Sequence, residues 1–382
     1  MKILCKAGQF FVLLSVAFAM IFCMAMKKPV NKTKPVVIGY VGGYRGLVDT
    51  SLLDVTKLTH INYAFINIKN GMAFLNNQFT DSVNLVSLSR LKQKNPLLQI
   101  LISVGGWSWS ENFSDAALSD SSRKVFAKSA VEIVRKYQLD GVDIDWEFPG
   151  MQGEEGNIFR AKDRSNFTLL FQAIRIELDS LAKQTGARKL LTTAVGAFAS
   201  FLKHTEMGKV QKYTDYINLM TYDYFPDKTG RHHANLYAAK KDSHEDAGVN
   251  AVKLFLAAGV PSNKLVLGIP FYGRIFQMKE DATIGIGDQV AEHIHAKGFA
   301  FIKDSMLNQA GYKAYRDSIA IAPYLFNSET RMFITYDDEW SVRVKCQYVL
   351  EHILAGAMFW EYDDDKKGYL LNVMNDVFYK NK

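Results

Sequence analysis

Cysteine is scarce in this chain of 382 residues, which contains only Cys5, Cys23 and Cys346. Two of the three lie within the first 26 residues, so Cys346 stands alone in the rest of the chain. A single cysteine cannot form an internal disulfide, and no pair of cysteines has the spacing of a zinc site. The fold must therefore depend on a hydrophobic core, for which a hydrophobic content of 48% is ample.

Several common catalytic and binding motifs are missing as well. The sequence has no nucleophile elbow and no Walker loop, and Gly42-Gly43-Tyr44 does not match the G-x-G-x-x-G turn of dinucleotide-binding proteins. The close histidine pairs, His232-His233 and His293-x-His295, lack the i,i+4 helical spacing with a nearby acid that marks a zinc protease. We therefore predict no metal site.

The excess of positive charge is small. The formal net charge of +7 falls to +5 (44 basic minus 39 acidic residues) when Lys2 and Lys6 of the amino terminus are left out. The basic residues are spread along the chain without a run or a tail, so nothing in the charge pattern favours a nucleic-acid partner.

The amino terminus has the pattern of a secretory leader. Lys2 and Lys6 precede an almost uninterrupted apolar run over residues 10–26, with small residues around Ala25. Because this run approaches membrane-spanning length, we predict that residues 1–26 are a cleaved signal peptide or a retained anchor, and lipid attachment at Cys23 is a third alternative. Residues 27–34 are predicted to be a short basic linker. We expect a secreted, periplasmic or cell-surface protein that contacts a membrane only through such an anchor.

From Pro35 onward, short apolar runs alternate with helical patterns, which is typical of a parallel sheet with crossover helices. Helices are predicted at residues 121–137, 165–182 (with Asp163 near the start as a cap), 246–257, 341–354 and 371–379. Strands are predicted at residues 36–40, 61–67, 99–105, 141–147, 190–196, 216–222, 265–271 and 356–360. Eight strands, each followed by a helix, indicate an α/β fold of the TIM (β/α)8 barrel type. Periodicity alone leaves a doubly wound sheet open, but its glycine-rich phosphate turn is absent.

The gap between the seventh and eighth predicted strands is too long for one helix. It contains strand-like and helical fragments, and a loop of that length without its own structure is uncommon. We predict a small α+β insertion domain at residues 274–335, carried by a barrel formed from residues 35–273 and 336–382.

The most informative stretch of the sequence is residues 139–149. After the turn signal Asp140-Gly141, apolar and acidic residues alternate strictly, so Asp143, Asp145 and Glu147 lie on one face of a strand. Carboxylates this close cannot all ionise freely, so a proton is shared or a pKa is raised. A carboxylic acid kept protonated in this way can act as a general acid. The alternative, a solvated acidic strand, would not carry a large hydrophobe at every alternate position of its other face.

This stretch, Asp140-x-x-Asp143-x-Asp145-x-Glu147, resembles the acidic signature of the family 18 chitinases among the glycoside hydrolases. The resemblance implies that Glu147 is the general acid and that the substrate's own acetamido group attacks the anomeric carbon. It also implies that Asp145 holds the acetamido N–H and stabilises the oxazolinium intermediate, while Asp143 shares a proton with Asp145. Asp140 is out of phase with the row and is interpreted as a turn residue.

Four further segments match the same family in the expected order: residues 103–107, 220–223, 272–274 and 358–360. By this resemblance, the Tyr222 hydroxyl donates to the acetamido oxygen and Trp360 stacks on the sugar. Taken alone, Trp360 fits a protein core about as well as a sugar platform, and a buried tyrosine with a satisfied hydroxyl is the lesser alternative for Tyr222. The resemblance implies further substrate contacts for Tyr40, Phe65, Gly106, Trp107, Met220, Asp223, Tyr272, Arg274 and Met358. Tyr40 and Phe65 fit barrel filling equally well.

The resemblance covers about residues 36–374 and implies a secreted retaining chitinase, of endo type, with no cofactor. Its expected partner is chitin or an N-acetylglucosamine oligosaccharide, and we expect a monomer. Two alternatives stay open. An endo-β-N-acetylglucosaminidase would use the same acidic row on N-glycans, and a chitin-binding lectin would keep the cleft without catalysis, although the presence of Glu147 counts against a lectin.

Overall fold

The computed structural model describes residues 34–224, 228–239, 246–307 and 311–380. The predicted leader and nearly all of the predicted linker fall at residues 1–33, outside the described residues. Among the residues that are described, none of the helices combines the length and the apolar character needed to cross a bilayer.

A closed barrel of eight parallel strands forms the centre of the fold. Strand β1 (Val36–Gly42) pairs in parallel with both β2 (His60–Lys69) and β14 (Gly356–Trp360), which closes the sheet, and this confirms the predicted TIM barrel. A short antiparallel strand, β3 (Met72–Phe74), extends β2 beyond the barrel. The barrel strands are β1 (Val36–Gly42), β2 (His60–Lys69), β4 (Gln99–Gly105), β5 (Gly141–Asp145), β6 (Leu190–Gly196), β7 (Tyr216–Met220), β8 (Leu265–Pro270) and β14 (Gly356–Trp360).

Helices surround the barrel, although not every strand is followed by one as predicted. The connection from β1 to β2 contains 3-10 turns at Gly43–Arg45, Thr50–Leu52 and Val55–Lys57 instead of an α-helix. Asp49 accepts a hydrogen bond from the Ser51 backbone and so favours the second of these turns. The described α-helices are α1 (Gln78–Arg90), α2 (Phe113–Ala116), α3 (Asp120–Lys136), α4 (Asp163–Thr185), α5 (Ala199–Lys203), α6 (Met207–Val210), α7 (Gly248–Ala257), α8 (Phe299–Phe301), α9 (Glu339–Glu351) and α10 (Tyr369–Asn375).

The alternating pattern of β5 determines where its carboxylates lie. Val142 and Ile144 are fully buried in the large core between the barrel and the helices. Side chains alternate along a strand, so Asp143 and Asp145 point to the opposite face, into the barrel. The burial of Asp143 and Asp145 therefore follows directly from the pattern that the sequence shows.

Helix α4 begins at Asp163, but this residue does not cap the helix as predicted. Its carboxylate instead accepts hydrogen bonds from the backbone N–H groups of Gly150 and Arg160 and from the Ser114 hydroxyl. Asp163 is fully buried. It therefore fixes the loop that connects β5 to α4, which is the loop that follows Glu147.

A second sheet follows the seventh barrel strand. Its five antiparallel strands have the order β10-β9-β13-β12-β11, and its own core contains Phe276, Phe326 and Phe333. The short helix α8 lies between β10 and β11. A small α+β insertion between the seventh and eighth barrel strands is thus present, as predicted. The strands are β9 (Tyr272–Met278), β10 (Val290–Gly298), β11 (Tyr312–Asp317), β12 (Ala322–Asn327) and β13 (Met332–Thr335).

Candidate active site

Many of the predicted site residues meet inside the barrel, around Trp360 at the end of β14. The Trp360 ring lies 5.7 Å from the ring of Tyr40 and 5.3 Å from the ring of Phe65, measured between centroids. The same cluster of barrel-filling side chains includes Met220, Tyr222 and Met358. The structure therefore brings together residues from four different strands that the sequence singled out separately.

Asp143 lies deepest in the site and is surrounded by hydrogen-bond donors. Its carboxylate accepts from the hydroxyls of Tyr40 (2.9 Å), Ser103 (2.7 Å) and Thr192 (2.5 Å), and more weakly from the Asn218 amide (3.4 Å). Burial raises the pKa of Asp143, although the hydroxyl donors oppose the shift. Since these donors occupy both oxygens, the carboxyl group is held in one orientation.

Asp145 and Glu147 are held differently from Asp143. Asp145 is 4% exposed, and its Oδ1 has no hydrogen-bond partner among the described residues. Burial raises the pKa of Asp145 well above its usual value, with further contributions from the negative charges of Glu147 and Asp143. Burial, together with the charge of Asp223, raises the pKa of Glu147 to about 8. Glu147 is therefore protonated at neutral pH, as a general acid must be before it reacts.

Glu147 lies beyond the end of β5, which differs from the prediction that this strand would run to residue 147. Its backbone N–H donates to the Ser110 hydroxyl over 2.9 Å, and its carbonyl accepts from the Asn157 amide over 3.3 Å. A Cβ atom added to Gly153 would lie only 2.0 Å from the same carbonyl oxygen. Two loops thus fix the peptide groups of Glu147, and neither Ser110 nor Asn157 stands in a sequence pattern that predicts this role.

Gly105 and Gly106 allow the chain to turn at the end of β4. Both have positive φ angles, 109° and 81°. A Cβ atom on Gly105 would meet the Asp145 carbonyl oxygen at 2.2 Å, and one on Gly106 would meet the Phe65 ring at 2.5 Å. A side chain at either position would therefore collide with protein atoms of the site, and the predicted contact of Gly106 with substrate stays a prediction.

Asp223 forms an ion pair with Arg274, which belongs to the predicted 272–274 segment. The guanidinium donates through Nε (2.8 Å) and Nη2 (2.6 Å) to the two carboxylate oxygens, and Nδ1 of His233 lies 3.4 Å from Oδ1. Burial alone would raise the pKa of Asp223, but the contacts with His233 and Arg274 outweigh it and hold that pKa below its usual range. Asp223 is thus a fixed negative charge near Glu147.

Tyr222, which packs with the barrel-filling side chains, lies next to Tyr272, the first residue of the second sheet. Their ring centroids are 6.2 Å apart, and the Tyr222 hydroxyl lies 4.0 Å from the Met358 sulfur. Tyr272 is buried, with the Arg274 guanidinium 5.2 Å from its ring. Tyr222 is half-buried, so its side chain is the more exposed of the two.

Trp107 marks one side of the site and Tyr44 another. The exposed Trp107 ring packs edge-on against Phe148, the residue after Glu147, with 6.3 Å between centroids. The exposed Tyr44 ring lies parallel to Trp360 at 6.4 Å, and its hydroxyl donates to Glu361 over 2.7 Å. The sequence points to these two residues only by their nearness to predicted site residues. Tyr44 lies four residues after Tyr40, and Glu361 directly follows Trp360.

The described residues contain no group of three or more His, Cys, Asp or Glu side chains arranged to hold a metal ion. His232 and His233, which the sequence showed as a close pair, contact Asp317 and Asp223 respectively. The absence of a cofactor stays a prediction.

Comparison with known proteins agrees with this geometry. The family model described as glycosyl hydrolases family 18 matches residues 36–365. The chain is 35% identical to chitinase A1 of Niallia circulans over 96% of its own length and 62% of that protein, so it spans less than two thirds of that relative. It is also 35% identical to chitinase 1 of Aphanocladium album, over 83% of this chain and 78% of that one.

A solved structure of a family 18 N-acetylglucosaminidase from Paenibacillus barengoltzii superimposes with a TM-score of 0.82 at 39% sequence identity. The match covers 90% of this chain and 99% of that one. The family match, the identities and the shared barrel all agree with the acidic row found in the sequence. The chain belongs to the glycosyl hydrolases of family 18.

Proposed function

We propose that this enzyme cleaves β-1,4-linked N-acetylglucosamine polymers or oligomers with retention of configuration, by substrate-assisted catalysis. One observation carries the proposal: Glu147, with a pKa raised to about 8, lies beside Asp145 at the mouth of a barrel whose interior presents Trp360 and Tyr222. The relatives named as chitinases support the same substrate class.

The reaction begins with the protonated Glu147 carboxyl. Its proton passes to the glycosidic oxygen as the bond from that oxygen to the anomeric carbon breaks, and the acetamido carbonyl oxygen of the same sugar forms the new bond to that carbon. Water then attacks the anomeric carbon of the oxazolinium intermediate, gives a proton to the Glu147 carboxylate and reopens the ring. Two inversions at one carbon give a product with retained configuration.

The environments of the other carboxylates favour attack by the substrate's own acetamido group. Asp143 is fully buried and accepts four hydrogen bonds, and Asp223 is paired with Arg274. Asp145 is almost as deeply buried as Asp143. Asp143 and Asp223 are thus engaged by protein donors, and the unpartnered oxygen of Asp145 is the one we assign to the acetamido N–H, so no carboxylate is left for the nucleophile of the usual retaining scheme.

We assign the remaining roles from position. Asp145 accepts the acetamido N–H and stabilises the positive charge of the intermediate, the Tyr222 hydroxyl donates to the acetamido oxygen, and Trp360 stacks on the sugar face. The charge of Asp143 helps to raise the pKa of Asp145. Trp107, Asp223 and Arg274 contact neighbouring sugars, and the insertion at residues 274–335 forms a wall of the cleft.

Residues 1–26 remain predicted to export the enzyme, as a cleaved leader or as an anchor. A cell fractionation of the full chain, followed by mass determination of the released protein, would decide between the two. A mass equal to that of the full chain in the membrane fraction would identify an anchor.

The experiment that tests the function compares substrates and identifies products. The enzyme is incubated with a chitin hexasaccharide and, separately, with a high-mannose glycopeptide. We expect cleavage of the hexasaccharide with the β anomer in excess immediately after cleavage, because two displacements retain configuration. An excess of the α anomer would contradict substrate-assisted retention.

The second candidate function is favoured by one observation, the 39% identity to a solved N-acetylglucosaminidase. The same product analysis separates the two. Release of single sugars from the hexasaccharide would indicate exo-acting N-acetylglucosaminidase activity, whereas dimers and trimers would indicate the predicted endo-type action. Cleavage of the glycopeptide alone would move the assignment to N-glycan release.

The raised pKa of Glu147 predicts the alkaline limit of activity. A general acid must be protonated, so kcat/KM should fall as the pH rises through about 8, the pKa of Glu147 in the folded enzyme. A pH profile on the hexasaccharide between pH 5 and about 10 measures this limb. A descending limb near the ordinary pKa of a glutamate, about 4, would show that Glu147 is not the group that must stay protonated.

A further inference from the structure

The loop that carries Trp107 is attached to the catalytic glutamate through its last residue. Strand β5 ends at Asp145, so the N–H of Glu147 has no partner in the barrel sheet. The Ser110 hydroxyl accepts this N–H over 2.9 Å and donates in turn to the Gly106 carbonyl over 2.8 Å. Ser110 is 1% exposed, so no solvent molecule can easily replace its hydroxyl.

Two other contacts join the same loop to the end of β5. The Gly106 N–H donates to the Asp145 carbonyl over 2.8 Å, and the Trp107 ring packs against Phe148. Residues 106–110 therefore touch the chain before, at and after Glu147. Only the contacts made by Ser110 depend on a side-chain hydroxyl: it accepts the N–H of Glu147 itself and lies 3.3 Å from the Asp145 carbonyl oxygen.

We propose that Ser110 is a positioning residue, whose hydroxyl holds the backbone of Glu147 so that its carboxyl meets the glycosidic oxygen. This inference rests on the proposed function of Glu147 as general acid. The Glu147 side chain is attached to the peptide group that Ser110 fixes, so a shift of this peptide moves the acid relative to the substrate. Displacements of about 1 Å can cost on the order of 10²-fold in rate.

A test can separate positioning of the acid from a merely structural role. Leaving groups differ in their need for a proton: a sugar alkoxide departs only when protonated, whereas a dinitrophenolate departs without a proton. A misplaced general acid therefore slows cleavage between sugars and leaves release of dinitrophenol almost unchanged. A loss of folded enzyme, in contrast, lowers both rates by the same factor.

The experiment measures kcat/KM of Ser110→Ala on a chitin hexasaccharide and on a dinitrophenyl glycoside of chitobiose, because kcat/KM reports the steps up to release of the leaving group and excludes the later attack of water, which also uses Glu147. On the hexasaccharide we expect about a tenfold loss, which is the size of effect expected for one lost hydrogen bond. On the dinitrophenyl substrate we expect a loss of less than about twofold. The ratio of the two rates does not depend on how much of the variant folds. An unchanged ratio would overturn the proposal, whether both rates fall together or neither falls.

Ser108 provides a matched control in the same loop. Its hydroxyl is exposed and lies 3.4 Å from Glu154, away from the backbone of Glu147. Ser108→Ala should leave both rates unchanged. Glu147→Gln, measured in parallel, separates the two levels of inference. If this variant still cleaves the hexasaccharide, the proposed function fails; if it does not, and the Ser110→Ala ratio equals that of wild type, only the role of Ser110 fails.

Discussion

Replacing Glu147 with glutamine should lower kcat on a chitin hexasaccharide by about 10³-fold, since a positioned general acid typically contributes between about 10² and 10⁴. Glutamine has nearly the same shape as glutamic acid, so substrate binding should persist. It has no proton to give at any working pH, and it cannot later accept one from water. Both steps of the proposed reaction are therefore affected, and KM should change little.

Glu155→Gln is the matched control for this prediction. Glu155 is an exposed carboxylate in the loop after Glu147. Its replacement removes one negative charge from the same region without touching the barrel interior, so kcat should stay at the wild-type value. Should Glu147→Gln retain more than about a tenth of the activity, another group must protonate the leaving oxygen.

The barrel itself could be predicted from the sequence almost completely. The predicted bounds of β4, β6 and β14 (residues 99–105, 190–196 and 356–360) agree with the structure. Parallel strands covered on both faces appear in the sequence as short continuous apolar runs, and such runs end sharply at polar or glycine residues. This signal is local, so one sequence is enough to find it.

The ends of the strands that carry the chemistry were predicted less well. The sequence pattern extends β5 to residue 147 and β7 to residue 222, but the strands end at Asp145 and Met220. Alternation of apolar and polar residues continues past the last ladder hydrogen bond, because Trp146 still packs into the core. Where the ladder stops depends on which partner takes each N–H, and for Glu147 that partner is a serine hydroxyl 37 residues away in sequence.

The predicted sugar-contacting residues came from resemblance, whereas the residues that hold them in place could not be predicted in that way. Ser110 and Asn157 bind the backbone of Glu147, and His233 contacts Asp223. All three residues lie in loops without a periodic pattern. Each contacts a residue at least 10 positions away in the sequence. Only a three-dimensional structure shows such contacts.

Asp143 illustrates what the structure adds to the sequence prediction of a shared proton. Its oxygens accept from Tyr40, Ser103 and Thr192, so its hydrogen-bonding capacity is already used by neutral donors. Asp145 has an oxygen without such a partner and lies nearer to Glu147 along the row. A proton exchanged within the acidic row is therefore better placed between Asp145 and Glu147, and the charge of Glu147 raises the pKa of Asp145 more than the charge of Asp143 does.

The difference between Asp143 and Asp145 leads to a prediction for Asp145. Asp145→Asn should lower kcat by about 10²-fold, with little change in KM. Asparagine can still accept the acetamido N–H through its oxygen, so ground-state binding is kept. It cannot provide the negative charge that stabilises the oxazolinium cation, and this interaction exists only as the cation forms. Loss of a charge that acts only in the transition state lowers kcat and kcat/KM equally.

The pH profile of Asp145→Asn gives an independent check of the same role. A neighbouring negative charge disfavours ionisation of Glu147, so removing it should shift the descending limb of kcat/KM to lower pH. Asp140→Asn is the matched control, because Asp140 lies before β5 and pairs with Lys92 at the opposite end of the strand. That variant should keep the wild-type profile. An Asp145→Asn enzyme with normal kcat but a raised KM would instead show that Asp145 only binds substrate, and the intermediate would need another source of stabilisation.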